Sequence, residues 1–387
     1  MRIRGILAML AASMVVSVAR ADVERPPQFV VMAFDGGISL PRWQDLGDFS
    51  AAMKRDGKPV NFTIFVSGIA FVEDASRNVY QGPGQRRGYS AINFGGKAED
   101  VHKRVDLINA MYASGHEIAS HANGHFNGAH WSAAQWEQEF AAYRAIYDNA
   151  SPMYSRGSAD KIEVPLAKII GFRAPYLATG PGLYEALRRA GFRYDTSGIA
   201  LVDQWPRKSD GLWHFDLVQL KVGGRRTLSM DYNIFVAQSG GRPDPRHADV
   251  YRAQMLASYL DYFRTNYNGN RAPLNIGHHF ESMQGGVYNE ALKDFARQVC
   301  GLPEVRCATY SELADYMDAQ SPETLAAYQA GAFPRAAMAT VTAAAVETPA
   351  MPAAKIARTA MRAAKVVRAA PLEHVPFLRD RNMPEIR

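Results

Sequence analysis

The chain of 387 residues, 47% of them hydrophobic, can bury one large core or two modest ones, and beyond its N-terminus it has no apolar run of the ~20 residues needed to cross a bilayer. Its formal charge of +6 sits in the ends: residues 1–21 carry +3, residues 335–387 carry nine Lys or Arg against four Asp or Glu, and residues 22–334 keep a net −2. A nucleic-acid footprint, which needs Lys and Arg clustered on the folded body, is excluded.

At the N-terminus, Arg2 and Arg4 precede an apolar stretch from Ile6 to Val18 and then Ala19-Arg20-Ala21. This order of charge, apolar core and small residues is that of an export signal, so residues 1–21 are expected to be cleaved and the mature protein to be secreted or periplasmic. Residues 22–334 are expected to form one domain.

Within that domain, strand-like runs at 29–34, 61–66, 117–120, 169–173, 192–195, 227–232, 273–277 and 305–309 alternate with amphipathic stretches at 101–113, 133–147, 182–190 and 250–267. Strand followed by helix, repeated, implies parallel strands joined by crossovers, hence an α/β sheet or barrel with its chemistry at the strand C-terminal ends.

The first run ends in Ala33-Phe34-Asp35-Gly36-Gly37, which places a carboxylate beside two glycines where backbone and substrate can approach. Residues 68–100 lose periodicity and fill with Gly, Asn, Tyr and Arg. A long irregular insertion in a compact domain is commonly functional, and this one is expected to wall a substrate groove.

After the run 117–120 come His121 and His125, whose spacing can bring two imidazoles together as half of a divalent-metal site. Arg173-Ala174-Pro175-Tyr176 ends another run: a guanidinium can hold a carboxylate by paired bonds, and Pro175 fixes the turn that aims it. His278 and His279 end the run 273–277. Either could deliver a proton to a leaving amine, but adjacent strand residues face opposite ways and only one can reach the site.

Cys300 and Cys307 are the only cysteines, and an exported chain permits them to pair. Two ligating thiols are the alternative, although a tetrahedral zinc set would need more donors nearby. Residues 335–387 are Ala-rich, expected to be disordered or partly helical, with Lys355, Arg358, Arg362, Lys365 and Arg368 spaced along one helical face that could touch an anionic envelope surface.

In order and spacing, Phe34-Asp35, His121 with His125, Arg173-Ala174-Pro175-Tyr176 and the late His pair resemble the motifs of carbohydrate esterase family four, the polysaccharide deacetylases. Gly115-His116-Glu117-Ile118-Ala119-Ser120-His121 and Tyr194-Asp195-Thr196-Ser197 look like its chitin-deacetylase branch. The resemblance spans residues 27–318 and implies a distorted (β/α) barrel of about seven parallel strands.

It further implies a metal-dependent hydrolase that removes acetyl groups from peptidoglycan or a chitin-like glycan, with zinc as the expected divalent metal. Asp35 matches the general base, Arg173 the residue that orients it, His121 and His125 two metal ligands, His279 the acid and Asp231 its carboxylate partner. Tyr176, Pro175 and Trp205 are expected to contact the substrate. The family's second motif Asp, a metal ligand, is here Gly36. Either water fills that position, or Asp35 itself turns to the metal, or the chain is a glycan-binding protein without catalysis. A monomer is expected.

Overall fold

The structure, a computed structural model, describes residues 23–150 and 161–334. The expected signal peptide and basic tail lie outside the described residues. In chain order the elements are β1 (Gln28–Gly36), α1 (Leu40–Arg55), β2 (Thr63–Val66), α2 (Ala98–Ala113), β3 (Glu117–Ser120), α3 (Ala133–Asp148), β4 (Gly171–Phe172), α4 (Pro181–Ala190) and β5 (Tyr194–Asp195). There follow β6 (Ile199–Ala200), β7 (Arg207–Ser209), β8 (Leu212–His214), β9 (Leu217–Val222), β10 (Arg225–Leu228), α5 (Asp231–Ser239) and α6 (Ala248–Asn268). The last are β11 (Leu274–His279), α7 (Val287–Val299), β12 (Val305–Ala308), α8 (Tyr310–Asp318) and α9 (Pro322–Gln329).

The main sheet runs β11-β1-β2-β3-β4-β5-β8-β7, and every pairing up to β8 is parallel. Seven parallel strands in a row, curled into a half-barrel, give the distorted (β/α) barrel that the resemblance implies. β12 adds to β1 on the edge opposite β11, below β2: Val30 faces both Leu274 and Cys307, whereas Ala33 faces Thr63. β9 leaves the barrel in a small sheet between β10 and β6.

Alternation along β1 divides the core. Val30, Met32 and Phe34 face a cluster shared with Leu274, Ile276, Tyr259 and Phe295, under the helical layer. Phe29, Val31 and Ala33 face the barrel interior with Phe65, Ala119, Tyr194 and Tyr310. A strand buried on both faces reads as a continuous apolar run, as this one does. Asp35 continues the interior series, so the first carboxylate of the chain's chemistry is aimed into the barrel mouth.

Local signals fix the helix ends. Ser132 with Gln135, and Thr309 with Glu312, form capping boxes on α3 and α8. α4 starts on Pro181 and stops at Gly191, whose φ of 78° suits a left-handed cap. The buried Glu117 is satisfied by Thr63 Oγ1 at 2.8 Å, Tyr194 Oη at 2.7 Å and Ser311 N at 3.0 Å, tying β3 to the start of α8.

One expected strand is different. The run 227–232 splits into the end of β10, a lone parallel bridge from Met230 to Gly277, and α5 starting at Asp231. The seventh barrel strand is β8, too short to register as an apolar run. Cys300 and Cys307 form the disulfide, Cα to Cα 5.7 Å.

Candidate active site

β1 and β11 pair in register, Phe34 with His278 and Asp35 with His279. Phe34 and His278 turn to the helical layer. His278 is fully buried, with Nε2 3.1 Å from Tyr259 Oη, and burial lowers its pKa against the pull of Asp231. Asp35 and His279 turn to the barrel mouth, and the His279 side chain keeps 24% of its surface exposed. The pleat therefore decides between the two imidazoles in favour of His279 as the one that faces the site.

Asp231 stands at the first residue of α5, set there by the Met230 bridge to Gly277 and by Ser229 O accepting from Gly277 N at 2.8 Å. Its Oδ1 is 2.6 Å from His279 Nδ1 and its Oδ2 accepts from His279 N at 2.9 Å. Burial pulls the His279 pKa down, but the charge and hydrogen bond of Asp231, with Asp35 adding to them, outweigh it and raise it to about 9. The protonated ring donates through Nδ1 to Asp231 and keeps Nε2–H for the mouth.

Arg173 follows β4 and is wholly buried. Nη1 donates to Asp35 Oδ1 at 2.7 Å, Nε to Thr196 Oγ1 at 2.8 Å and Nη2 to Tyr310 Oη at 3.4 Å. The guanidinium also lies 4.4 Å above the Phe65 ring. Burial opposes its charge, yet Asp35 more than compensates and the pKa is raised. A buried ion pair in which each guanidinium nitrogen has a partner holds Asp35 in one orientation.

His121 follows β3. Its Nδ1 lies 2.8 Å from Arg173 O, and since a carbonyl only accepts, Nδ1 carries the proton and Nε2 keeps its lone pair. Its ring centroid is 5.2 Å from that of His125, which in turn is 4.6 Å from Tyr176. His125 Nδ1 is buried with no hydrogen-bond partner. Burial, then the neighbouring imidazoles, push the His125 pKa to about 3, so its ring is neutral at physiological pH.

Strain gathers around these residues. Ala122 (φ 55°), His125 (φ 53°) and Tyr176 (φ 60°) hold left-handed backbone without being glycine, at about 1–3 kcal/mol each. Pro175, buried, starts the single turn of Pro175–Leu177 that places Tyr176 beside His125.

An orphaned Nδ1 on His125 and a free Nε2 on His121 are chemistry that suits a divalent metal, and a neutral imidazole pair suits zinc. The set stops at two. Among the described residues, no group of three or more His, Cys, Asp or Glu side chains is placed to hold a metal ion. At the position of the missing carboxylate, Gly36 has φ 110° and nothing nearer to a built Cβ than Phe280 Cβ at 4.0 Å. The two imidazoles are thus residue types that suit a divalent metal, short of the three or more protein donors of a complete set.

The structure does not bring Trp205 to this place. Trp205 is 4% exposed, donates to Asn270 O at 2.9 Å and stacks on Tyr328 of α9. Asn270 precedes β11, whose other end carries His279. Trp205 closes the barrel floor, and the expectation of a substrate contact is corrected on that ground. Conversely, Thr196 and Tyr310, which complete the Arg173 shell, were not singled out. Thr196 had a signal, since it lies within the Tyr194-Asp195-Thr196-Ser197 segment.

No family model matches the chain, and no curated protein matches it. Thirty-five solved chains do. One from Mycobacterium smegmatis, assigned as a polysaccharide deacetylase, is 18% identical at a TM-score of 0.48, over 78% of this chain and 94% of that one. The Xyl-CE4 domain of a multidomain xylanase from the hindgut metagenome of Trinervitermes trinervoides is 15% identical at a TM-score of 0.40, over 76% of this chain and 93% of that domain. BA3943 from Bacillus anthracis, a CE4 pseudoenzyme, is 11% identical at a TM-score of 0.39, over 75% of this chain and 66% of its own.

Proposed function

We propose that the chain is an exported hydrolase that removes N-acetyl groups from an amino-sugar polysaccharide, peptidoglycan or a chitin-like glycan. The observation that carries this is the side-by-side placement of a base held by Arg173, Asp35, and an acid held by Asp231, His279. A carboxylate held by a guanidinium beside an imidazole held by a carboxylate is an arrangement suited to paired base and acid chemistry.

Asp35, held by a hydrogen bond from Arg173 Nη1 at 2.7 Å, takes a proton from the attacking water. Water oxygen bonds to the acetyl carbon, and the oxyanion that forms is stabilised by a hydrogen bond from Tyr176. His279 then gives its Nε2 proton to the amide nitrogen as the C–N bond breaks, releasing acetate and a free amine. Zinc bound by His121 and His125 would supply polarisation of the carbonyl and a more acidic water. Tyr176 and Pro175 border the acetyl position.

The test is acetate release from N-acetylglucosamine oligomers by zinc-loaded protein, with Asp35→Asn and His279→Ala as comparisons. Activity at the wild-type rate in either variant sinks the assignment. One observation favours a second reading, a glycan-binding protein without catalysis: glycine stands where the third ligand belongs. That reading requires oligomer binding with no acetate released.

A further inference from the structure

Between His121 and His125 the backbone passes through Ala122 (φ 55°) and arrives at His125 (φ 53°), both left-handed without glycine. Such conformations persist only where the surroundings fix them. Here the fixing comes from outside the loop. Asn123 N donates to Glu139 Oε1 at 3.0 Å, Asn123 Nδ2 donates to Glu139 O at 2.9 Å, and Gly124 N donates to Tyr80 Oη at 3.1 Å. Tyr80 Oη closes the circuit by donating to the Glu139 carboxylate at 2.9 Å.

Glu139, on α3, and Tyr80, in the insertion 68–100, are each 1% exposed. Among the described residues no cation pairs with Glu139, and burial raises its pKa against the pull of these hydrogen bonds, so the carboxyl depends on the network for its partners. The insertion adds Ala91 N and Ser90 Oγ, which donate to Gly124 O at 2.9 and 3.2 Å, and Gly68 N, which donates to Ala122 O at 2.8 Å. A Cβ on Gly124 would fall 2.4 Å from the Phe126 ring and 2.8 Å from Tyr80 Oη, so only glycine fits the grip.

We propose that Glu139 and Tyr80 are positioning residues that set the separation and orientation of His121 and His125, the insertion serving as a clamp on the imidazole pair. The clamp acts on the loop whether or not metal is bound; its consequence for metal rests on the function proposed above.

The test pairs two readouts on Tyr80→Phe and Glu139→Gln, with Tyr147→Phe as a control, since Tyr147 is also buried and donates to Val164 O at 3.1 Å, a bond that leaves the loop untouched. In metal-free protein, hydrogen exchange at the Asn123 and Gly124 amides is expected to accelerate at least ~10-fold in both variants and stay at the wild-type rate in the control. Zinc affinity by chelator competition is expected to fall at least ~10-fold in both, with a changed visible spectrum of the cobalt-loaded protein. Unchanged exchange at these amides, or an equal change in the control, overturns the clamp. Wild-type protein that binds neither metal overturns the metal reading instead, and exchange still decides the clamp.

Discussion

Asp35 on β1 and His279 on β11 are register partners in a parallel ladder, so base and acid reach the barrel mouth from adjacent strands and His279 senses the charge of Asp35. The helix that starts at Asp231 completes the acid. Without its carboxylate, burial alone would drive His279 below its ordinary value of 6.5 rather than up to about 9.

The first prediction follows from that sign. In the wild type, kcat/KM for acetate release is expected to hold through neutral pH and to fall as pH rises through about 9. In Asp231→Asn the alkaline limb is expected to move below 7, and the rate at neutral pH to drop roughly 10²-fold or more. Stability moves with it: the folded pKa is raised, so the contribution of the pair is fully present below about 6.5 and lost as pH rises through about 9. Urea unfolding of wild type and variant is therefore expected to converge toward alkaline pH. An unmoved limb removes His279 from the acid role.

Arg173 carries the second. Arg173→Met leaves Asp35 buried without its cation and is expected to cost about 3–5 kcal/mol in urea unfolding. Adding Asp35→Asn is expected to recover part of that loss, because the stranded charge is then gone, and the double-variant cycle measures the coupling. Arg173→Lys keeps the charge but not the fork to Thr196, Asp35 and Tyr310, so it should fold better than Arg173→Met and still lose most activity. Additive losses in the cycle would contradict the pairing.

How far these groups are visible in the sequence depends on their period. Asp35 lies on a two-residue alternation with Phe29, Val31 and Ala33, and the rule that neighbours on a strand face opposite ways already limits the site to one of His278 and His279. Which one needs the register with β1, a long-range fact. The run 227–232 reads as a strand through Thr227, Tyr232 and the β-favouring residues beyond it, Ile234, Phe235 and Val236. Tertiary packing overrides that propensity and starts a helix at Asp231. Aromatic character alone cannot separate a residue of a groove, as Trp205 is expected to be, from one of a barrel floor. Glu139 and Tyr80 are ordinary polar residues in sequence, and only contact with Asn123 and Gly124 makes them distinctive.

The third prediction concerns the disulfide. Cys300 ends α7 and Cys307 lies on β12 opposite Val30, at the other end of β1 from Asp35. With a sequence separation of 7, loop-closure entropy gives about 2–3 kcal/mol. Replacing both cysteines by alanine is expected to lower the unfolding free energy by that amount and leave acetate release unchanged. A comparable loss of activity would mean that the staple shapes the mouth.

Gly36 gives the last. Its φ of 110° lies where side chains are strained, yet the nearest heavy atom to a built Cβ is 4.0 Å away, so a substitution meets backbone cost without a clash. The turn itself is pinned by Ser67 N donating to Gly36 O at 2.9 Å and by Trp43 Nε1 donating to Gly37 O at 2.8 Å, which leaves little room for the backbone to relax. Gly36→Ala is expected to cost about 1–3 kcal/mol in urea unfolding and to leave zinc affinity unchanged. Gly36→Asp is expected to carry the same penalty while tightening zinc binding, because it offers the two imidazoles a third donor. If Gly36→Asp loses stability and gains no affinity, the left-handed turn directs the new carboxylate away from His121 and His125, and the chain's chemistry is built around the glycine rather than impaired by it.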